Sequence, residues 1–100
     1  MFICDCHCDT LTELYKKGTS LYANDQHFDI QRQIALGGGL QFCAIFVPTR
    51  EFRYYGGLRY TLQLLDKYLQ EVKKLHVDGI DVLQVLTKED AADALNHKAA

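Results

Sequence analysis

Two residues of this chain, His7 and Asp9, have types and a spacing that suit chemistry. They flank Cys8 in the segment Phe2-Ile3-Cys4-Asp5-Cys6-His7-Cys8-Asp9. In a strand the rise is about 3.3 Å per residue, so their Cα atoms stand roughly 6.6 Å apart on one face. At that separation an imidazole nitrogen and a carboxylate oxygen can converge on one metal ion, each about 2.0–2.2 Å from it. Zinc accepts both donor types. The bland alternative is a solvated or hydrogen-bonded His-Asp pair, because a tripeptide alone has little specificity.

The elements that must position this pair are legible from pattern. Residues 2–9 alternate with period two, which predicts a strand. Cys4, Cys6 and Cys8 share one face and are expected to be buried as small apolar residues. Asp5, His7 and Asp9 share the other. Thr10-Leu11-Thr12-Glu13 reads as a capping box with Thr10 as N-cap. It opens a helix that runs to Lys16-Lys17 and stops at Gly18. Asp29 is expected to cap a short helix over 30–36. Gly37, Gly38 and Gly39 form a turn. Without Lys-Ser/Thr or a following helix, this turn is no phosphate loop. The apolar run from Leu40 to Val47 predicts a strand buried on both faces, ending at Pro48. Leu58, Leu62, Leu65, Leu69, Val72 and Leu75 recur at helical spacing and predict one long amphipathic helix. Ile80–Leu86 is a third strand candidate, and Thr87 caps a last helix that runs towards His97. His76 and His97 are read as lying on solvated faces.

This order, β-α-β-α-β-α, implies a parallel sheet with helical crossovers. His7 and Asp9 then fall at the C-terminal end of the first strand, where active sites of parallel α/β folds sit. Arg50, Arg53, Tyr54 and Tyr55 follow the second strand at the same end, either as an ordinary exposed loop or flanking a substrate.

Asp5-Cys6-His7-Cys8-Asp9-Thr10-Leu11 resembles the opening of the membrane (renal) dipeptidase family. These are zinc metallopeptidases of the amidohydrolase superfamily, whose first barrel strand reads Asp-Gly-His-x-Asp. A second block agrees in register: His27-Phe28-Asp29-Ile30, the glycine turn, then Leu40-Gln41-Phe42 and the apolar run. A weaker third block runs from Val82 to Asp90. The resemblance implies an N-terminal segment of a (β/α)8 TIM-type barrel, with residues 1–100 as one incomplete domain. It implies two zinc ions in the complete enzyme, with His7 and Asp9 as ligands of one of them. A metal-bridging hydroxide would hydrolyse a dipeptide substrate. Cys6 stands where the family has Gly. The bridging Glu of a Glu-Gly motif and the later His ligands have no counterpart in this sequence. The chain alone is therefore expected to be inactive, and no catalytic residue is assigned within it. A full barrel needs about 250 residues.

Composition bounds the remaining classes. The chain has 100 residues, 48% hydrophobic and 24% charged, with a formal net charge of -2. One small domain is expected. No basic surplus suggests nucleic acid, and no apolar run approaches a membrane span. No basic n-region precedes Asp5, so a cytoplasmic protein with reduced thiols is expected. Unpaired sheet edges favour self-association. The rival readings are a small non-catalytic metal- or thiol-binding module built on the cysteines, and another metal-dependent barrel hydrolase. The last is disfavoured because many such enzymes open with His-x-His.

Overall fold

The computed structural model describes residues 1–100. The elements run β1 (Ile3–Cys8), α1 (Thr10–Lys17), α2 (Ile30–Ala35), β2 (Gly39–Cys43), α3 (Gly57–Val77) and α4 (Lys88–Asp93), followed by a 3-10 turn at Ala94–Asn96. The fold is mixed α/β: a two-stranded parallel sheet, β1 beside β2, with four helices.

Local chemistry explains most element boundaries. Gly18 ends α1 at φ 67°, and its N–H bonds the Leu14 carbonyl. That left-handed position costs glycine little. Asp29 caps α2 by accepting the Arg32 N–H at 2.7 Å, while its other oxygen takes Arg32 Nε at 2.8 Å. Thr87 and Asp90 close a reciprocal capping box on α4. At the turn before β2, a Cβ on Gly39 would stand 2.5 Å from the Ile3 carbonyl oxygen. Glycine is therefore what lets β2 begin against β1.

The expected Thr10 cap is not formed. Thr10 is the first helical residue, Asp9 occupies the cap position, and no side chain caps the helix. The Asp9 carboxylate turns to His7 instead.

Three other expectations need correction. The β2 ladder stops at Cys43, and Phe42 and Phe46 are 54% and 53% exposed, so the run is not a strand buried on both faces. Its partner strand, β1, ends at Cys8 where the chain turns into α1. In α3, Leu58, Leu62, Leu65 and Leu69 are exposed. The buried face carries Leu64, Glu71, Val72 and Leu75. The helix has two apolar stripes, and α1 with the 80–83 segment covers only one.

The third strand is reduced to one parallel bridge, Val82 to Ala99. Its expected place beside β2 is taken by the last residues of the chain. The Ala100 N–H bonds the Gly39 carbonyl at 3.0 Å, and the Gln41 N–H bonds the Ala100 carbonyl at 2.9 Å. On the far side the Leu83 N–H bonds the Ala99 carbonyl at 2.9 Å.

The core holds Leu14, Leu21, Ile30, Leu75, Val82 and Ala99, with Phe28, Ile34 and Ile80 packed against it. Glu71 is buried beside it. Its carboxylate accepts the Leu21 N–H at 2.7 Å and Lys67 Nζ at 2.8 Å. Burial pushes this carboxyl up, but the Lys67 and Leu21 hydrogen bonds and the lysine charges more than offset that, holding it below the ordinary glutamate range.

His76 is exposed, in line with its solvated-face reading, whereas His97 is half-buried. His76 Nε2 meets the Val82 carbonyl at 2.8 Å. His97 lies between Asp81 (2.7 Å) and Asp93 (3.2 Å), and the Lys98 N–H bonds Asp81 at 3.1 Å. This cluster fastens the terminal residues beside Leu83. The bonds to Asp81 and then Asp93 raise the His97 imidazole above its ordinary range, and both carboxyls are lowered. A raised imidazole contributes fully below its unfolded pKa and loses that contribution as pH rises through the folded value. The lowered carboxyls lose theirs as pH falls through their folded values. Amide protection of Gln41 and Leu83 is therefore expected to weaken at both alkaline and strongly acid pH. Hydrogen exchange, corrected for its intrinsic pH dependence, checks this. Protection in His97→Ala that still declines in alkali as in the parent chain would sink the assignment.

Candidate functional site

His7 and Asp9 are set by a fault in the sheet. The register pairs Ile3 with Gly39, Cys4 with Leu40 and Asp5 with Gln41, then jumps to Cys8 with Cys43. Three steps along β1 match two along β2, which is a β-bulge at Cys6-His7. The His7 N–H bonds the Asp5 carboxylate at 3.2 Å, and the Ala44 N–H bonds the Cys8 carbonyl at 2.9 Å. Asp5 thus ties down the extra residue, and β2 re-engages β1 one position later.

The result brings the two expected site residues together. His7 Nε2 and Asp9 Oδ1 are 3.2 Å apart with both side chains more than half exposed, which is the solvated, hydrogen-bonded pair of the alternative reading. They stand at the C-terminal end of β1 and open onto a groove also lined by Asp5, Glu13, Gln26 and His27. His27, whose His-x-Asp spacing is read from sequence as serving a helix cap and not a metal site, also faces the groove. The aspartate of that spacing, Asp29, does serve as the helix cap.

In donor chemistry the pair fits zinc, offering one imidazole nitrogen and carboxylate oxygen. In number it falls short, since catalytic zinc takes three protein ligands. No group of three or more His, Cys, Asp or Glu side chains is placed to hold one ion.

The bulge also sorts the cysteines. Cys8 takes the face of Asp5, Gln41 and Cys43 by register, and it is buried. Cys4 and Cys6 are exposed, contrary to the expectation that all three would be buried on one face. Residues 3–7 of β1 are exposed on both faces, so nothing covers Cys4 and Cys6, and the bulge turns Cys8 away from them. The Cys8 and Cys43 sulfurs lie 3.9 Å apart. Their shared hydrogen bond draws the Cys8 thiol down, against burial, and together with burial raises Cys43 far above the ordinary thiol range.

The loop after β2 leaves Tyr54 and Tyr55 exposed, with the Arg53 guanidinium 5.6 Å from the Tyr54 ring centre. Phe52 stacks on Tyr60 at 4.8 Å and anchors the loop to α3. No helix is long and apolar enough to cross a membrane. Comparison with models of protein families, with curated proteins and with solved structures gives no match. The dipeptidase resemblance therefore rests on the motifs alone.

Proposed function

We propose that residues 1–100 form the N-terminal part of a zinc-dependent dipeptidase built on a (β/α)8 barrel. The observation that carries this reading is the convergence of His7 and Asp9, 3.2 Å apart, at the C-terminal end of the first of two parallel strands. Active sites of parallel α/β barrels are built at that end.

His7 and Asp9 would hold one zinc ion, with further ligands from later strands. Bound zinc would lower the pKa of its water to about 7 and polarise the scissile carbonyl. The chain's own residues orient this pair. Asp5 holds the His7 backbone through the bulge, and the sheet bond from Ala44 to Cys8 fixes the residue between the two ligands. The acidic groove beside them, with Asp5 and Glu13, favours a cation.

Two uncovered surfaces support the larger barrel. One is the stripe Leu58, Leu62, Leu65 and Leu69 on α3, where a neighbouring barrel helix would pack. The other is the apolar groove between the end of β2 and residues 83–86, lined by Phe42, Ile45, Leu65, Val85 and Leu86. Ala99 and Ala100 fill one end of that gap, between β2 and Leu83, where the barrel would seat the 80–86 strand. Left open, the same surfaces would drive the isolated chain to self-associate.

The test is to express the complete reading frame that encodes these residues and measure zinc content and dipeptide hydrolysis. The expected result is about two zinc ions per chain and hydrolysis that a chelator abolishes and zinc restores. A product without zinc, or one whose hydrolysis ignores chelation, overturns the reading.

A further inference from the structure

We propose that Cys8 and Cys43 form a reversible disulfide under peroxide, one that staples β1 to β2 beside His7 and Asp9. The proposal does not rest on the metal reading.

Three observations carry it. The two residues are register partners on adjacent strands. Neighbouring strands lie about 4.8 Å apart, inside the Cα separation of about 4.4–6.8 Å that a disulfide needs. Their sulfurs are already 3.9 Å apart. Closing to about 2.0 Å asks for side-chain rotation and no change of strand pairing. The bulge selects this pair, because in unbroken register Cys8 would face Ala44 and Cys43 would face His7. Cys4 and Cys6 have no such partner: Cys4 faces Leu40, and both are exposed.

The chemistry balances with hydrogen peroxide as oxidant. One cysteine sulfur attacks the O–O bond, gaining one oxygen as a sulfenic acid and releasing water. The second thiol attacks that sulfur, forms the S–S bond and expels a second water. Two electrons and two protons pass from the dithiol to peroxide. A small oxidant suits a pair in which Cys8 is buried and Cys43 is only partly exposed.

The experiment treats the folded chain with stoichiometric hydrogen peroxide, digests it with trypsin and fragments the linked peptides. Cys4, Cys6 and Cys8 all fall in residues 1–16 and Cys43 in residues 33–50, so fragmentation must place the bond. The expected product has lost two hydrogens, carries the Cys8–Cys43 link, and returns to the dithiol with dithiothreitol. In urea the link to Cys43 is expected to spread over Cys4, Cys6 and Cys8. The Cys4→Ser/Cys6→Ser variant, changed only at exposed positions, is expected to crosslink as fully as the parent. Adding Cys8→Ser should stop the link and leave Cys43 to over-oxidise. The proposal is overturned if the folded chain shows the same spread as in urea. It is also overturned if Cys8 and Cys43 go to sulfinic acids without a link. Because the parent chain alone gives both outcomes, a variant that fails to fold does not decide the matter.

Discussion

His7→Ala, made in the product of the complete reading frame, is expected to lower zinc-dependent dipeptide hydrolysis by well over ~100-fold. Losing an outer partner of a metal ligand already costs about 10–100-fold in affinity or activity, and His7 would be a ligand itself. Loss of fold should not confound the result. The His7 side chain is 64% exposed, and its one side-chain partner is the exposed Asp9. Its backbone contact with Asp5 survives the substitution. Asp9→Asn tests the same site from the other side by removing the charge and keeping the size. Zinc content measured beside activity separates lost binding from lost chemistry. Cys6→Ala is the control: that side chain is exposed and is expected to leave zinc content unchanged. Full zinc and full activity in His7→Ala would remove the histidine from the site. Strong zinc loss in Cys6→Ala would favour the thiolate module instead.

Leu14→Ala is expected to destabilise the chain by about 2–5 kcal/mol, the range for a buried leucine truncated to alanine. Leu14 is fully buried on α1 and belongs to the cluster with Leu21, Leu75 and Val82. It joins α1 to α3 and to the 80–83 segment, so a cavity there loosens three pieces at once. Against a typical total of about 5–15 kcal/mol, the loss is large. In a domain of this size each kcal/mol shifts the melting temperature by about 4–8 °C. Urea denaturation followed by circular dichroism checks this through the midpoint, with the parent slope retained. The exposed Leu58→Ala on α3 should change stability by less than ~0.5 kcal/mol. Equal effects at the two positions would remove Leu14 from the core.

Local signals made much of the fold legible. Gly18, Asp29 and the Thr87-Asp90 box act through atoms within four residues of one another. The apolar spacing located α3, yet it could not say which of two stripes would be covered, because that depends on what α1 brings against it. The strand over 80–86 failed for the same kind of reason. Its residues have strand character, but a strand needs a neighbour, and the place beside β2 went to Ala99 and Ala100.

For the candidate site the division is sharper. Types and spacing alone identified His7 and Asp9 and placed them at a strand end, because pleating and chain direction are local properties. They also supplied the dipeptidase resemblance, since a motif is a property of sequence. Only the tertiary structure decided that β1 bulges at Cys6-His7, that Cys8 therefore leaves the face of Cys4 and meets Cys43, and that His27 looks into the same groove. A bulge is a mismatch between two strands, and His27 reaches the groove through a loop. Both depend on residues more than ten positions apart in the chain, and no periodicity within one segment encodes such pairings.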